Sequence, residues 1–198
     1  MKLRQEVKSG IILILAIAGL YAGGHFLITR VLVPEEFTAA RKESATIAKD
    51  IVGLTDSSLK NLSTIGVHDR NYNFGLALTM VREELERVKE PRAKAIELTE
   101  ELGIMAQTAF QILPTKARNL AMEGIGHEVA LITHLIVYND VLNSLLQTLQ
   151  FKFSGDIRYD AQDVQEIIKN MNEEVQQINE LNEQFNQVMR EFDEIVAE

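Results

Sequence analysis

An uncharged apolar segment near the N-terminus constrains this chain more than any other feature. Residues 9 to 29 read SGIILILAIAGLYAGGHFLIT, twenty-one residues without Asp, Glu, Lys or Arg, and Arg30 and Pro34 follow. A helix of about 20 apolar residues is long enough to cross a bilayer core of about 30 Å. The sequence therefore predicts a single transmembrane anchor over residues 9 to 33, preceded by a short tail of residues 1 to 8.

Basic residues flank the segment and bear on its orientation. Three of them precede it, Lys2, Arg4 and Lys8. Only Arg30 follows it closely, so the positive-inside rule favours a cytoplasmic N-terminus, an extracytoplasmic bundle and a location in the cell (inner) membrane. A cleaved signal peptide is the competing interpretation, because residues 22 to 24 are small and fit a cleavage site. The apolar run continues beyond that point through Ile28, which favours an uncleaved anchor.

Small residues recur at four-residue steps inside the segment. They are Ala18 with Ala22 and Gly19 with Gly23. This spacing places small residues on one helix face, where two membrane helices can approach closely. The pattern predicts helix packing with other membrane proteins or with a second copy of the chain, as part of an oligomer or a complex.

The remaining residues, 35 to 198, carry helical patterns and short polar connections. The predicted helices cover about 35 to 65, 72 to 113 with a kink at Pro91, 115 to 153, and 160 to 197. Short connections make consecutive helices antiparallel. The predicted fold is all-α, an elongated up-down four-helix bundle with coiled-coil-like packing. The alternative is an open three-helix bundle whose last helix is free to pair with another protein.

The last predicted helix has the most regular pattern in the chain. Its apolar residues repeat every seven positions and form a heptad seam: Val164, Ile167, Met171, Ile178, Leu181, Phe185, Val188, Phe192 and Ile195. Only Glu174 interrupts the seam. Such a seam predicts packing at about 20° against a partner helix.

The negative charge of the chain is concentrated near its C-terminal end. The residues from Asp156 onward hold twelve acidic and three basic side chains and thus the whole net charge of −9. This charge argues against nucleic acid as a partner.

One set of polar residues has ligand chemistry. Glu123, His127, His134 and Tyr138 share a face of the third predicted helix. Two imidazoles and a carboxylate can hold a metal or a polar ligand inside a bundle, but the Glu-x-x-His pairs of di-iron bundles do not occur in this sequence. The favoured interpretation is a pair of hydrogen-bonded core histidines, with a polar ligand pocket as the alternative.

Other polar and small residues have simpler interpretations. Ser44 and Ser58 interrupt the apolar stripe of the first helix, and the charged run at residues 82 to 87 reads as a solvated face with intrahelical ion pairs. Gly124 and Gly126 lie inside the third helix, where they predict a kink or a close helix crossing.

Catalytic motifs are missing from the sequence, and there is no Cys to form a disulfide or a thiolate site. We therefore expect no enzyme activity, no catalytic residues, no cofactor and no metal.

The predicted function is that of a structural or accessory membrane subunit that acts through helix packing. The alternative is a sensor, because an anchored four-helix bundle resembles in outline the ligand-binding domains of chemoreceptors and sensor kinases. Since neither a second span nor an output domain is visible in the sequence, a sensor of this kind would signal through a separate partner.

Overall fold

The computed structural model describes residues 31 to 197, and five α-helices make up most of this part of the chain. They are α1 (Glu35–Arg70), α2 (Phe74–Arg87), α3 (Lys89–Ala109), α4 (Thr115–Ser154) and α5 (Ala161–Ala197). The predicted all-helical bundle is confirmed. The predicted tail, the anchor up to residue 30 and its small residues Ala18, Gly19, Ala22 and Gly23 lie outside the described residues. The placement of residues 31 to 33 in the anchor helix was wrong, because these residues are not helical: Leu32 pairs with Leu113, and Val33 packs against the core of the bundle.

Local signals in the sequence explain where these helices begin and end. Glu35 and Glu36 occupy the first turn of α1, where negative charge faces the positive end of the helix dipole. Gly155 ends α4 in the left-handed conformation with φ of 71°. Asp160 caps α5, because its Oδ1 atom accepts a hydrogen bond of 2.8 Å from the backbone N–H of Gln162.

The second rod of the bundle is broken at Val88, three residues before the predicted kink at Pro91. α2 ends at Arg87 and α3 begins at Lys89, so Pro91 lies in the first turn of α3. A proline is tolerated there because the first N–H groups of a helix have no intrahelical partner. The break between the two helices therefore precedes the proline.

The rods run up, down, up and down between two ends of the bundle. We call the end formed by residues 31 to 37, 110 to 117 and 189 to 197 the base, and the opposite end, residues 66 to 76 and 151 to 161, the tip. α4 packs along α5 and against α2 and α3, which in turn pack against α1. α1 and α5 close the ring near the base, where the rings of Phe37 and Phe192 lie 5.9 Å apart between centroids.

The heptad seam lies in the core of the bundle. Six of its nine residues are buried, namely Val164, Met171, Ile178, Phe185, Val188 and Phe192. Ile167, Leu181 and Ile195 are half-buried. Because the seam packs within the chain, mainly against α4, the last helix is not free as the alternative fold required.

Within the described part of the chain, one helix is long and apolar enough to cross a membrane by length and composition. That helix is α4, and 39% of its most apolar window is buried inside the bundle. The core helix of a soluble protein passes the same test, so this finding is weak evidence for membrane insertion.

Candidate functional site

The two histidines of α4 have different partners and do not form one ligand site. His134 Nδ1 lies 2.7 Å from Oε2 of Glu174 on α5, and His127 Nε2 lies 3.9 Å from Oε1 of Glu123 on the same helix. Glu174 is the residue that interrupts the heptad seam, so its carboxylate joins α5 to α4. Residues 31 to 197 contain no group of three or more His, Asp or Glu side chains placed to hold a metal.

Tyr138, the fourth residue of the predicted face, has a different environment. It is buried with the apolar residues of the tip half of the core. Burial raises the pKa of its phenol to about 12, because the charged form would lose its hydration. Tyr138 therefore stays neutral at physiological pH, and it lines a cavity that neither histidine reaches.

The cavity lies in the tip half of the bundle, between α1, α4 and α5. Its volume is about 90 Å³. The walls are mainly aliphatic and include Leu62 from α1, Leu145 and Leu149 from α4, and Val164 and Met171 from α5. A single water needs roughly 10 to 15 Å³ of such space, so the cavity is large enough for a small organic molecule.

An ion pair lies at the polar side of this cavity. Lys152 Nζ of α4 donates a hydrogen bond of 2.6 Å to Oδ2 of Asp69 at the end of α1. The ammonium group also lies 5.6 Å from the ring centroid of Phe153 and 5.8 Å from that of Tyr159. Both members of the pair are mostly buried, and both line the cavity. The site thus combines apolar walls with a charged donor and a charged acceptor, and Tyr138, Tyr159 and Asn172 also line it.

A second polar cluster joins α1 to α2. Glu84 is buried, although the charged run around it predicts a solvated face. Its carboxylate accepts hydrogen bonds from the Ser58 hydroxyl and, at 2.6 Å, from Nδ2 of Asn61. Arg87 NH1 lies 3.7 Å from Glu84 Oε2. The interpretation of this residue as solvated was wrong, because Glu84 shares the buried face of α2 with Ala77 and Val81.

Buried polar atoms without hydrogen bonds in the described structure concentrate in the base half of the bundle. They include Arg41 Nε, Glu128 Oε2, Asn182 Nδ2 and Asn186 Oδ1. Burial raises the pKa of Glu128 to about 7, while the positive charge of Arg41 acts in the opposite direction. Arg41 itself forms a bidentate pair with Asp193, at 2.6 and 2.9 Å.

Register places Glu128 and Asn182 at similar levels of the bundle. Gly124 faces Phe185 and Met189, whereas His134 pairs with Glu174 ten residues further along α4. Glu128 lies between these two contacts on α4, and Asn182 lies between them on α5.

Sequence reasoning missed the cavity and the buried Glu84. The spacing of Ala77, Val81 and Val88 is the signal that could have identified Glu84 as a core residue. No comparable signal marks the cavity, because its walls have the same aliphatic composition as the rest of the core.

Comparisons of the chain with known protein families, with curated proteins and with solved structures find no match.

Proposed function

We propose that this chain is a non-enzymatic, single-pass membrane-anchored helical bundle that acts as a structural or accessory subunit. Its partners are other membrane proteins or a second copy of the chain. In this proposal residues 9 to 30 belong to the anchor, the N-terminus is cytoplasmic and the bundle is extracytoplasmic, while residues 31 to 33 belong to the base. The charge-free segment and the chemistry of the base support the proposal.

The base carries the main observation. The Leu32 N–H donates a backbone hydrogen bond of 3.2 Å to Leu113, and the Leu113 N–H donates one of 3.0 Å to Leu32. The residues that follow the apolar segment therefore lie beside the α3–α4 connection. Three large apolar side chains are exposed here, Leu32 at 56%, Phe110 at 64% and Leu113 at 47%. Exposed apolar groups next to a membrane anchor suit the interfacial region of a bilayer.

A surface for protein partners is available on two neighbouring helices. The heptad seam is used inside the bundle, so it is not the contact that we propose. Four large apolar side chains remain exposed on the adjacent helices α3 and α4, namely Ile96, Ile104, Val129 and Val137. Exposed apolar residues on adjacent helices are suited to helix packing with another subunit.

Tryptophan fluorescence tests the membrane placement, because the natural sequence contains no Trp. We expect Phe110→Trp at the base, in full-length protein reconstituted into vesicles, to be quenched by lipids brominated on their acyl chains. Ile157→Trp at the tip is the matched control, since Ile157 is 99% exposed and should stay in water. Equal quenching at the two sites, in protein that floats with the vesicles, contradicts the placement.

Native mass measurement after gentle detergent extraction tests the accessory role. We expect a stoichiometric complex, and we expect Ile104→Glu to reduce it because a charge then lies on the apolar surface. Gln107→Glu is the control, because Gln107 is an exposed residue of the same helix and gains the same charge. A lone monomer in all three samples contradicts the accessory role.

A second candidate function is ligand sensing through a separate transducing partner. The cavity between α1, α4 and α5 is the specific observation that favours it. Binding pockets in helical bundles are commonly built from side chains of facing helices, as this cavity is.

A further inference from the structure

The cavity in the tip half results from the way α1 and α5 separate along the bundle. Near the base, their side chains meet through the Phe37–Phe192 contact and the Arg41–Asp193 pair. Towards the tip, residues of α1 and α5 instead face each other across the cavity, with α4 forming the third wall. Protein interiors contain few voids larger than a water molecule, so a void of about 90 Å³ is a distinct feature of this bundle.

The apolar walls determine which molecules gain by entering. Leu62, Leu145 and Val164 offer no hydrogen bonds, so water inside this part would lose most of its partners. Cavities lined by aliphatic side chains stay dry and take up apolar molecules, and one of about 150 Å³ holds benzene. This cavity is smaller, so it holds at most one six-membered ring, and the side chains around it must move apart to admit that ring. The flexible side chain of Met171 in the wall can adjust to such a ring.

The ion pair determines the polar part of the ligand. Lys152 has three ammonium protons, of which one is directed to Asp69, and the carboxylate of Asp69 has further lone pairs. A hydroxyl group can donate to Asp69 and accept from Lys152 without separating the pair. A charged ligand would leave one member of this mostly buried pair without its counterion, which is costly. The site therefore favours neutral ligands.

The position of the cavity gives ligands a route from solvent. Tyr159, in the connection between α4 and α5, contributes to the wall, and so does Gly66 in the last turns of α1. Both lie at the tip, next to the surface connections of the bundle. A molecule can enter there without separating the long helices.

We propose that this cavity binds a small neutral molecule of the phenol class, one ring of benzene size with a single hydroxyl group, oriented by Asp69 and Lys152. This inference adds a ligand class to the candidate function of ligand sensing. Binding at the cavity does not depend on that function; only the biological role of the bound ligand does. The ring lies among the leucines and Met171, and the hydroxyl group contacts the ion pair.

Fluorine NMR of 4-fluorophenol, added to the full-length protein in lipid nanodiscs, tests the proposal. We expect saturable binding by the wild type. Val175→Phe places a ring in the cavity from α5 and should weaken binding roughly tenfold or more, the equivalent of about 1.4 kcal/mol. Gln147→Phe adds the same ring at an exposed site of α4 outside the proposed partner surface and should bind as the wild type does. Partition into lipid is not saturable and is equal in all three samples.

A second pair of measurements tests the polar contact and does not depend on the folding of Val175→Phe. We expect the double variant Asp69→Leu and Lys152→Met, which removes both polar contacts without leaving an unpaired charge, to lower the affinity for 4-fluorophenol roughly fivefold or more relative to 4-fluorotoluene. An unchanged ratio overturns the assigned orientation, and non-saturable uptake by the wild type overturns the site. Saturable binding that leaves the native mass of the complex unchanged supports the cavity and removes only the sensing role.

Discussion

Glu128 should make the stability of the bundle depend on pH in a direction opposite to that of most carboxylates. Its side chain is buried on α4, and burial raises its pKa from 4.5 to about 7. Below pH 4.5 the group is protonated in both the folded and the unfolded chain. Between pH 4.5 and 7 the unfolded chain releases the proton while the folded chain keeps it, so stability falls as the pH rises. The loss is complete above pH 7.

The size of the loss follows from this pH interval. At 1.36 kcal/mol per pH unit, it corresponds to about 3 kcal/mol of unfolding free energy. Glu128→Gln keeps the shape of the side chain but cannot ionise. We therefore expect the variant to match the wild type near pH 4.5 and to be about 3 kcal/mol more stable near pH 8. The measurement is urea unfolding of the full-length protein in neutral detergent at the two pH values, followed by circular dichroism.

The control for this prediction is Glu166→Gln, because Glu166 is an exposed carboxylate on α5. We expect it to change stability by no more than about 0.5 kcal/mol at either pH. Other titrating groups affect the wild type and the variants equally, so the difference between them isolates Glu128. If Glu128→Gln destabilises the bundle equally at both pH values, then Arg41 stabilises an ionised Glu128 and the argument from burial is refuted.

Three further substitutions test the packing of α4 against α5. Gly124→Ala should destabilise the bundle by about 1 kcal/mol, because the new Cβ would lie 2.6 Å from the Met189 sulfur. Gly126→Ala should instead stabilise the bundle by about 1 kcal/mol, because its new Cβ would meet no neighbouring atom within 4 Å and alanine favours the helix. Thermal unfolding of the two variants checks this, and equal effects contradict the close crossing. Glu174→Leu should leave the native mass unchanged, because the seam packs within the chain and Glu174 pairs with His134. A larger native mass would show that the seam joins separate chains.

The heptad pattern predicts the buried face of α5, but it cannot identify the partner helix. The apolar positions from Val164 to Phe192 specify a seam, and any helix with a matching stripe could fill it. The structure assigns α4 as the main partner, and Glu174 explains part of this choice, since its carboxylate meets His134. The interruption in the pattern is thus where the two helices make a polar contact.

The cavity illustrates the opposite case, in which local patterns carry no information. Leu62, Leu145 and Val164 read as core residues, and the structure buries them. Whether three such residues touch or leave a void depends on the separation of α1 and α5, which is a property of the whole bundle. Sequence periodicity records which face of a helix is apolar, whereas the distance between faces depends on packing along the full length.

Ser58 and Glu84 show why isolated polar residues are hard to interpret from one sequence. Taken separately, Ser58 interrupts an apolar stripe and Glu84 belongs to a charged run. Together they form a buried hydrogen bond between α1 and α2, which Asn61 completes. A buried carboxylate without partners would cost several kcal/mol, so each residue is tolerated because the other is present. The same reasoning applies to Asp69 and Lys152, whose pairing keeps a polar contact beside an apolar cavity.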